Sequence, residues 1–228
     1  GWAVESAPPG RATQQRSDKS VRPHRVRCRN MAREDRLHFP ASDRNHAVLK
    51  ALAGGLVVAL LAPQLYRAEP ELFGPVHILL ALAVLVVAPL AVALAATPDA
   101  SGRHPWLYRL AIWVGPIAGA STAASFLFPA GRMAALLAAP WGLFAALTAA
   151  FGVLRFYRRR GARLQLAELC IDIGLVYLLL AARWLLLSRA GFQSPRVPQL
   201  IVALTAVHFH YTFFTATLLT GLLGKHLA

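Results

Sequence analysis

The sequence has little cysteine and little negative charge. Two of its 228 residues are cysteine, and ten acidic residues are set against 24 lysines and arginines, which gives a formal net charge of +14. Cys28 lies in a basic stretch and Cys170 in an apolar segment, so the pattern argues against a disulfide framework and a thiolate metal motif. A glycine-rich phosphate loop, a His-Glu-x-x-His pair and a nucleophile elbow are also missing, so no motif of known mechanism indicates a reaction.

Apolar residues, by contrast, are abundant. They make up 57% of the chain, and the mean hydropathy is +0.49. Together with the basic charge, this composition is typical of membrane helices flanked by arginine. Nucleic-acid binding is the other explanation for so basic a protein. The hydrophobic segments separate the charges into short clusters, however, so we expect a lipid bilayer as the partner and no nucleic acid.

Residues 1–46 differ from the rest of the chain. They carry ten Lys/Arg and five Asp/Glu, several prolines and no apolar periodicity, which predicts a disordered basic arm without a signal peptide. The chain begins with Gly1, and the sequence after Met31 leads directly into the apolar region. We therefore hypothesise that Met31 is the natural start and that residues 1–30 are not native.

Residues 47–228 contain six apolar segments, each long enough to cross a hydrocarbon core of about 30 Å. Lipid offers no hydrogen-bond partners to an open backbone, so the segments must be helical. The predicted fold is an all-α, polytopic bundle of about six transmembrane helices. The segments are 47–66, 73–97, 106–128, 133–156, 164–188 and 199–223.

Basic residues orient this bundle, because cytoplasmic loops carry an excess of Lys and Arg. We expect both termini to be cytoplasmic and the protein to lie in the cytoplasmic (inner) membrane as a multi-pass protein. This orientation leaves four arginines in the outer loops and places the basic arm with a larger set inside. The inner set is Arg103, Arg109, Arg155, Arg158, Arg159, Arg160, Arg163 and Lys225.

Polar residues within the apolar segments are few. Glu168 and Asp172 in segment five are the only acids there, and His77, His208 and His210 are the only histidines. Ionisable groups in a membrane are costly and usually face the bundle interior or mark a functional site. These residues are therefore the candidates for function.

The run His208-Phe209-His210-Tyr211 is the densest part of this set. On a straight helix the two imidazoles diverge by about 160°, so they make a poor chelate by themselves. We expect one histidine to meet Asp172 and Glu168 across the interface of segments five and six, where an axial offset of about 5 Å is within side-chain reach. The other histidine then contacts a different neighbour.

Three interpretations of the polar set remain open. It can be a hydrogen-bonded network that fixes the helix register, a catalytic or metal site, or a proton relay for transport. Zinc or iron would be the cofactor of a metal site. The candidate ligands are His208, His210, Asp172 and Glu168, with His77 as a weaker addition.

The run from Leu204 to Tyr211, LTAVHFHY, preceded by ELCIDIGLVY from Glu168 to Tyr177, resembles the YndJ-like family of bacterial multi-helix membrane proteins. The resemblance covers most of residues 47–228, but the basic arm has no counterpart and Arg183 departs from the pattern. It implies further helices after the histidine segment, hence a chain truncated at its C-terminus. The family has no established activity to carry over. The matching positions are Glu168, Asp172, Tyr177, His208, His210 and Tyr211.

The leading functional hypothesis is a membrane enzyme acting on a lipid or isoprenoid-like, hydrophobic small-molecule substrate. Glu168 and Asp172 would act as acid, base or ligand, His208 and His210 as bases or ligands, and Tyr211 as a hydrogen-bond donor. The alternatives are a proton-coupled transporter and a structural or assembly membrane protein. The sequence leaves the oligomeric state open.

Overall fold

The computed structural model describes residues 41–68, 73–96, 104–159 and 165–227. Most of the predicted basic arm, including residues 1–30 and Cys28, lies outside the described residues. Within them all regular structure is helical, apart from one isolated bridge between Ser194 and Val197. The prediction of an all-α, polytopic helix bundle is confirmed.

Six helices follow one another in the described part of the chain. Helix α2 contains a π-helical stretch, Ala83–Val87, between Phe73–Leu82 and Ala88–Ala95. Helix α6 contains a longer one, Phe209–Ala216, between Gln199–His208 and Thr217–Leu227. The remaining helices are α1 Ala41–Ala68, α3 Trp106–Ser125, α4 Arg132–Arg158 and α5 Leu166–Arg189.

Five of the six helices are long and apolar enough to cross a membrane. Helix α3 is the sixth; it has 20 residues, and Arg109, Ser121, Thr122 and Ser125 interrupt its apolar sequence. Large apolar side chains cover the outside of the bundle, as expected of a surface that faces lipid. On α1, for example, Leu49, Leu52, Leu56 and Leu60 are 63–66% exposed.

Helices α2 to α6 contact one another in chain order, and α2 also contacts α6, so these five helices form a closed ring. The largest buried side chains, which include Trp141, Phe144, Phe151 and Phe214, form the core of this bundle. Antiparallel neighbours joined by short connections bring the end of α4 and the start of α5 to one end of the bundle. We call this the α4–α5 end; the last residues of α2 and α6 also lie there.

Helix α2 approaches its neighbours through its own backbone. Pro89 has no N–H to offer to the carbonyl groups one turn earlier. The Leu85 carbonyl oxygen faces Gly54 of α1, and the Val84 carbonyl oxygen would lie 2.9 Å from a Cβ placed on Gly119 of α3. A side chain at either glycine would meet backbone atoms, so glycine permits this close packing of membrane helices.

Helices α5 and α6 pack closely through glycine too. A Cβ on Gly174 would lie 3.0 Å from Leu218 Cβ, and a Cβ on Gly221 would lie 2.5 Å from the Ala167 carbonyl oxygen. These contacts define the antiparallel register: Gly174 lies level with Leu218, and Ala167 lies level with Gly221. The register decides which polar residues of the two helices can meet.

Candidate functional site

Five charged side chains meet at the α4–α5 end of the bundle. Arg155 and Arg159 lie one turn apart at the end of α4, Glu168 and Asp172 lie one turn apart at the start of α5, and Lys225 lies near the end of α6. Residues four apart share one helix face, so each helix presents two like charges to its neighbour. We call these five residues the charged cluster.

Each carboxylate oxygen in the charged cluster has a cationic partner. Glu168 Oε1 accepts a hydrogen bond from Lys225 Nζ at 2.6 Å, and Glu168 Oε2 accepts from Arg155 Nη2 at 2.5 Å and from Arg159 Nη1. Asp172 Oδ2 accepts from Arg159 Nη2, and Asp172 Oδ1 forms an ion pair with Arg155 Nε at 3.1 Å. Both negative charges are therefore paired with cations, and among the described residues the buried Asp172 Oδ1 has this ion pair but no hydrogen bond.

Burial makes this compensation necessary. The Asp172 side chain is 4% exposed and the Arg155 side chain is 9% exposed. A buried charge is tolerated when it is paired and hydrogen-bonded, and removing one partner of such a pair leaves the other uncompensated. Arg155 Nη1 also donates to the carbonyl oxygen of Ala95 at the end of α2. The charged cluster thus joins α2, α4, α5 and α6.

The histidine run lies elsewhere, where α6 widens into its π-helical stretch. His210 is buried, and its Nε2 lies 3.2 Å from Trp141 Nε1 of α4, while its Nδ1 lies 2.8 Å from the carbonyl oxygen of Ala206. The indole nitrogen can only donate and the carbonyl can only accept. His210 therefore carries its proton on Nδ1 and is a neutral imidazole in this arrangement.

His208 faces outwards instead. It is exposed, its Nδ1 lies 3.3 Å from Thr212 Oγ1, and its ring meets Phe213 edge-on with the centroids 5.2 Å apart. Burial of one imidazole and exposure of the other agree with the predicted divergence of the two rings. Tyr211 points towards α2 and donates a hydrogen bond to the Leu79 carbonyl oxygen at 3.0 Å.

The predicted meeting of a histidine with Asp172 and Glu168 is wrong. The acids bind arginine and lysine, and His210 binds Trp141. The reason is the register of α5 and α6. With Leu218 level with Gly174, His210 lies level with about residue 182, roughly 15 Å along the axis from Asp172 at 1.5 Å per residue.

This separation also bears on the metal hypothesis. Glu168 and Asp172 belong to the charged cluster at the start of α5, whereas His208 and His210 lie at the π-helical stretch of α6. These four residues therefore do not form one set of metal ligands. Among the described residues, no three His, Cys, Asp or Glu side chains come together in a way that could hold a metal ion. His77, the weaker candidate, lies with its Nε2 3.2 Å from Arg189 Nη1 and stacks on Phe126.

Arg189 occupies the opposite end of the bundle, and sequence reasoning missed it as a buried group. The residue is 2% exposed, and its guanidinium donates through Nη2 to the carbonyl oxygens of Ser125 and Phe128, at 2.8 and 2.6 Å. Carbonyl groups at a helix C-terminus lack intrahelical donors, and a cation there also interacts favourably with the helix dipole. Arg189 therefore ties the end of α5 to the end of α3.

Arg155, Arg159 and Lys225 were also missed as site residues, because they were interpreted only as charges that orient the protein. A signal was present in the sequence. Two arginines four residues apart precede a short connection, and two acids four residues apart follow it. In an antiparallel helix pair this pattern brings opposite charges to the same level.

Comparison with known proteins places this architecture in a family. Residues 78–228 match the family described as YndJ-like protein. A relative named "Uncharacterized membrane protein YndJ", from Bacillus subtilis (strain 168), is 33% identical over 85 residues. That match covers 37% of this chain and 15% of the relative. No solved structure gives a significant match.

Proposed function

Because the chain belongs to the YndJ-like family of membrane proteins, we propose that it is a structural or assembly module of the membrane, whose polar residues hold a multi-pass helix bundle together. The observation that supports this role is that the candidate polar residues connect one helix to another. Glu168, Asp172, His210 and Tyr211 all make contacts between helices. We also propose the cytoplasmic (inner) membrane as its location.

Mutation of Asp172 tests this role. Asp172→Asn keeps the size of the side chain but leaves Arg155 and Arg159 with one carboxylate instead of two. Loss of one partner of a buried pair lowers the free energy of unfolding by about 3 kcal/mol or more. Unfolding of the purified protein in mixed micelles measures the change. His208→Ala is the matched control, since His208 is exposed, and we expect it to unfold like the wild type.

The result of this comparison separates a structural from a chemical role. If Asp172→Asn were as stable as the wild type, the charged cluster would not hold the bundle together and the structural proposal would fail. Equal losses in Asp172→Asn and His208→Ala would also contradict it, because the effect would then not follow the interhelical contacts.

A second candidate function is an enzyme that acts on a lipid or isoprenoid-like substrate, and His208 favours it. The exposed imidazole lies on the outside of an apolar helix, so a hydrophobic molecule in the bilayer can reach it. Its Nδ1 is beside Thr212 Oγ1, and its Nε2 has no hydrogen-bond partner among the described residues. A histidine oriented in this way can serve as a general base.

Lipid analysis tests the enzyme candidate. Cells that express the wild type, His208→Ala or Thr205→Ala are extracted, and their lipids are compared by mass spectrometry. Thr205→Ala is the control, since the Thr205 hydroxyl donates to the Ile201 carbonyl oxygen of its own helix. The enzyme candidate predicts a lipid species whose amount is the same in cells with the wild type and with Thr205→Ala and differs in cells with His208→Ala. Identical lipid profiles in all three strains would count against it.

A proton-coupled transporter, the other alternative, stays a prediction, and it would need a proton path across the roughly 15 Å between Asp172 and His210.

A further inference from the structure

The charged cluster holds more positive than negative charge. Three cationic side chains surround two carboxylates, so one positive charge of the cluster remains after the acids are compensated. The cations differ in exposure: the side chain of Arg155 is 9% exposed, whereas those of Arg159 and Lys225 are both 33% exposed. The excess charge therefore lies on the outer side of the cluster.

Arg159 and Lys225 are close together because they bind the same carboxylate. Arg159 Nη1 binds Glu168 Oε2, and Lys225 Nζ binds Glu168 Oε1. Two hydrogen bonds and one carboxylate separate the two cationic nitrogens by at most roughly 7 Å. A phosphate group that accepts one hydrogen bond from each cation spans a similar distance. An incoming anion also meets no free carboxylate oxygen of Glu168.

The position of this pair in the bundle is near the depth of the lipid headgroups. Arg159 follows the last residue of α4, Lys225 lies two residues before the end of α6, and the exposed Arg158 is adjacent in the chain. Helices of this length leave the hydrocarbon core near their ends, where lipid phosphates lie. Basic groups between membrane helices at this depth bind the headgroups of anionic lipids.

We propose that Arg159 and Lys225 form a binding site for a phosphate group at the outer side of the charged cluster. Arg159 Nη2 already donates to Asp172 and to the Glu168 carbonyl oxygen, and its Nε donates to the Arg155 carbonyl oxygen. The second hydrogen of Nη1 is therefore the donor that Arg159 offers to a phosphate, and lysine supplies a compact charge with three donors. The phosphate can belong to the headgroup of an anionic lipid or be free in solution. The site does not depend on the structural role proposed above, since binding can occur whether or not the bundle has an assembly function.

Native mass spectrometry of the full chain released from nanodiscs tests the site. The nanodiscs contain phosphatidylcholine alone or with added phosphatidic acid, and the measurement is the number of phosphatidic acid molecules retained. Lys225→Gln is expected to weaken retention about fivefold, the effect of one basic residue near a membrane surface. Lys225→Arg keeps the charge and is expected to retain lipid like the wild type. Arg132→Gln removes an exposed charge at the opposite end and should have no effect.

Two further comparisons identify the source of the phosphate and guard against a folding defect. Inorganic phosphate added to the nanodiscs displaces the lipid if the site takes free phosphate, and leaves it bound if the site needs a headgroup. Unfolding in phosphatidylcholine alone shows whether Lys225→Gln is folded. Arg158→Gln removes an exposed charge at the same end of α4 that is not part of the site, so it should weaken retention less than Lys225→Gln does. Equal retention by the wild type and Lys225→Gln, or equal losses in Lys225→Gln and Arg158→Gln, would overturn the proposal.

Discussion

At the scale of single residues, His210 shows how packing defines the chemistry of a titratable side chain. An imidazole can donate or accept at either nitrogen, but in this bundle a donor faces one nitrogen and an acceptor faces the other. The Trp141 ring is also inclined by 27° to the His210 ring, with the centroids 6.1 Å apart. The contact between Trp141 and His210 therefore fixes both the tautomer and the orientation of the ring.

Removal of the indole donor tests this contact. Trp141→Phe leaves the buried Nε2 of His210 without its donor, and an unsatisfied buried polar atom costs about 2 kcal/mol. We expect the free energy of unfolding in mixed micelles to fall by at least that amount. Trp113→Phe is the matched control, because Trp113 is 78% exposed. Equal losses in the two variants would show that the hydrogen bond contributes nothing.

At the scale of helices, backbone contact through glycine brings α2 close to α1 and α3. The carbonyl groups near Pro89 face Gly54 and Gly119, which have no side chain to keep the backbones apart. Lipid supplies no hydrophobic driving force between helices, so van der Waals contact of this kind is a main source of their association. The position of α1 depends on it strongly, because most of α1 is exposed.

The neighbouring glycines of α1 provide a matched pair of variants. A Cβ on Gly54 would collide with the Leu85 carbonyl group, whereas a Cβ on Gly55 would meet nothing within 4 Å. Gly54→Ala is expected to lower the free energy of unfolding by about 1–3 kcal/mol, the usual cost of overpacking, and Gly55→Ala to lower it by much less. Unfolding in mixed micelles measures both. The close packing of α1 on α2 would be refuted by equal stability of the two variants.

At the scale of the whole molecule, a buried arginine connects neighbouring helices at each end of the bundle. Arg155 joins helices at the α4–α5 end, and Arg189 joins α3 and α5 at the other end. Arginine suits both places because one planar group offers several donors at once. The middle of the bundle, in contrast, is held by apolar side chains and by a few hydrogen bonds such as that of His210.

The orientation of the whole molecule in the membrane is a separate prediction. The basic arm and the basic inner set predict that the α4–α5 end is cytoplasmic. In a background of Cys28→Ser and Cys170→Ser, a membrane-impermeant maleimide added to intact cells should label Arg132→Cys but should label His226→Cys only after lysis. Labelling in the reverse order would mean that the protein has the opposite orientation.

Sequence reasoning predicted the helices and the family but not the partners of the polar residues. Apolar length identifies five of the six helices as membrane spans, and both the all-α polytopic bundle and the YndJ-like resemblance are confirmed. The contact of Asp172 with Arg159 was not predicted, because it depends on the register of neighbouring helices. Glycine contacts between helices set that register, and the π-helical stretch of α6 changes the rotation of its residues. The residue pattern of a single helix reveals neither the register between helices nor this change of rotation.

The charges of α4 and α5 have a further consequence for the order in which the chain enters the membrane. Arg155, Arg159, Glu168 and Asp172 sum to zero and lie on one helical hairpin. An acid within an apolar helix opposes insertion, and a cation beside it removes much of that cost. Because α4 is synthesised first, its arginines are present when the acids of α5 emerge. The two acids can therefore insert already paired with Arg155 and Arg159, and Lys225 joins them last.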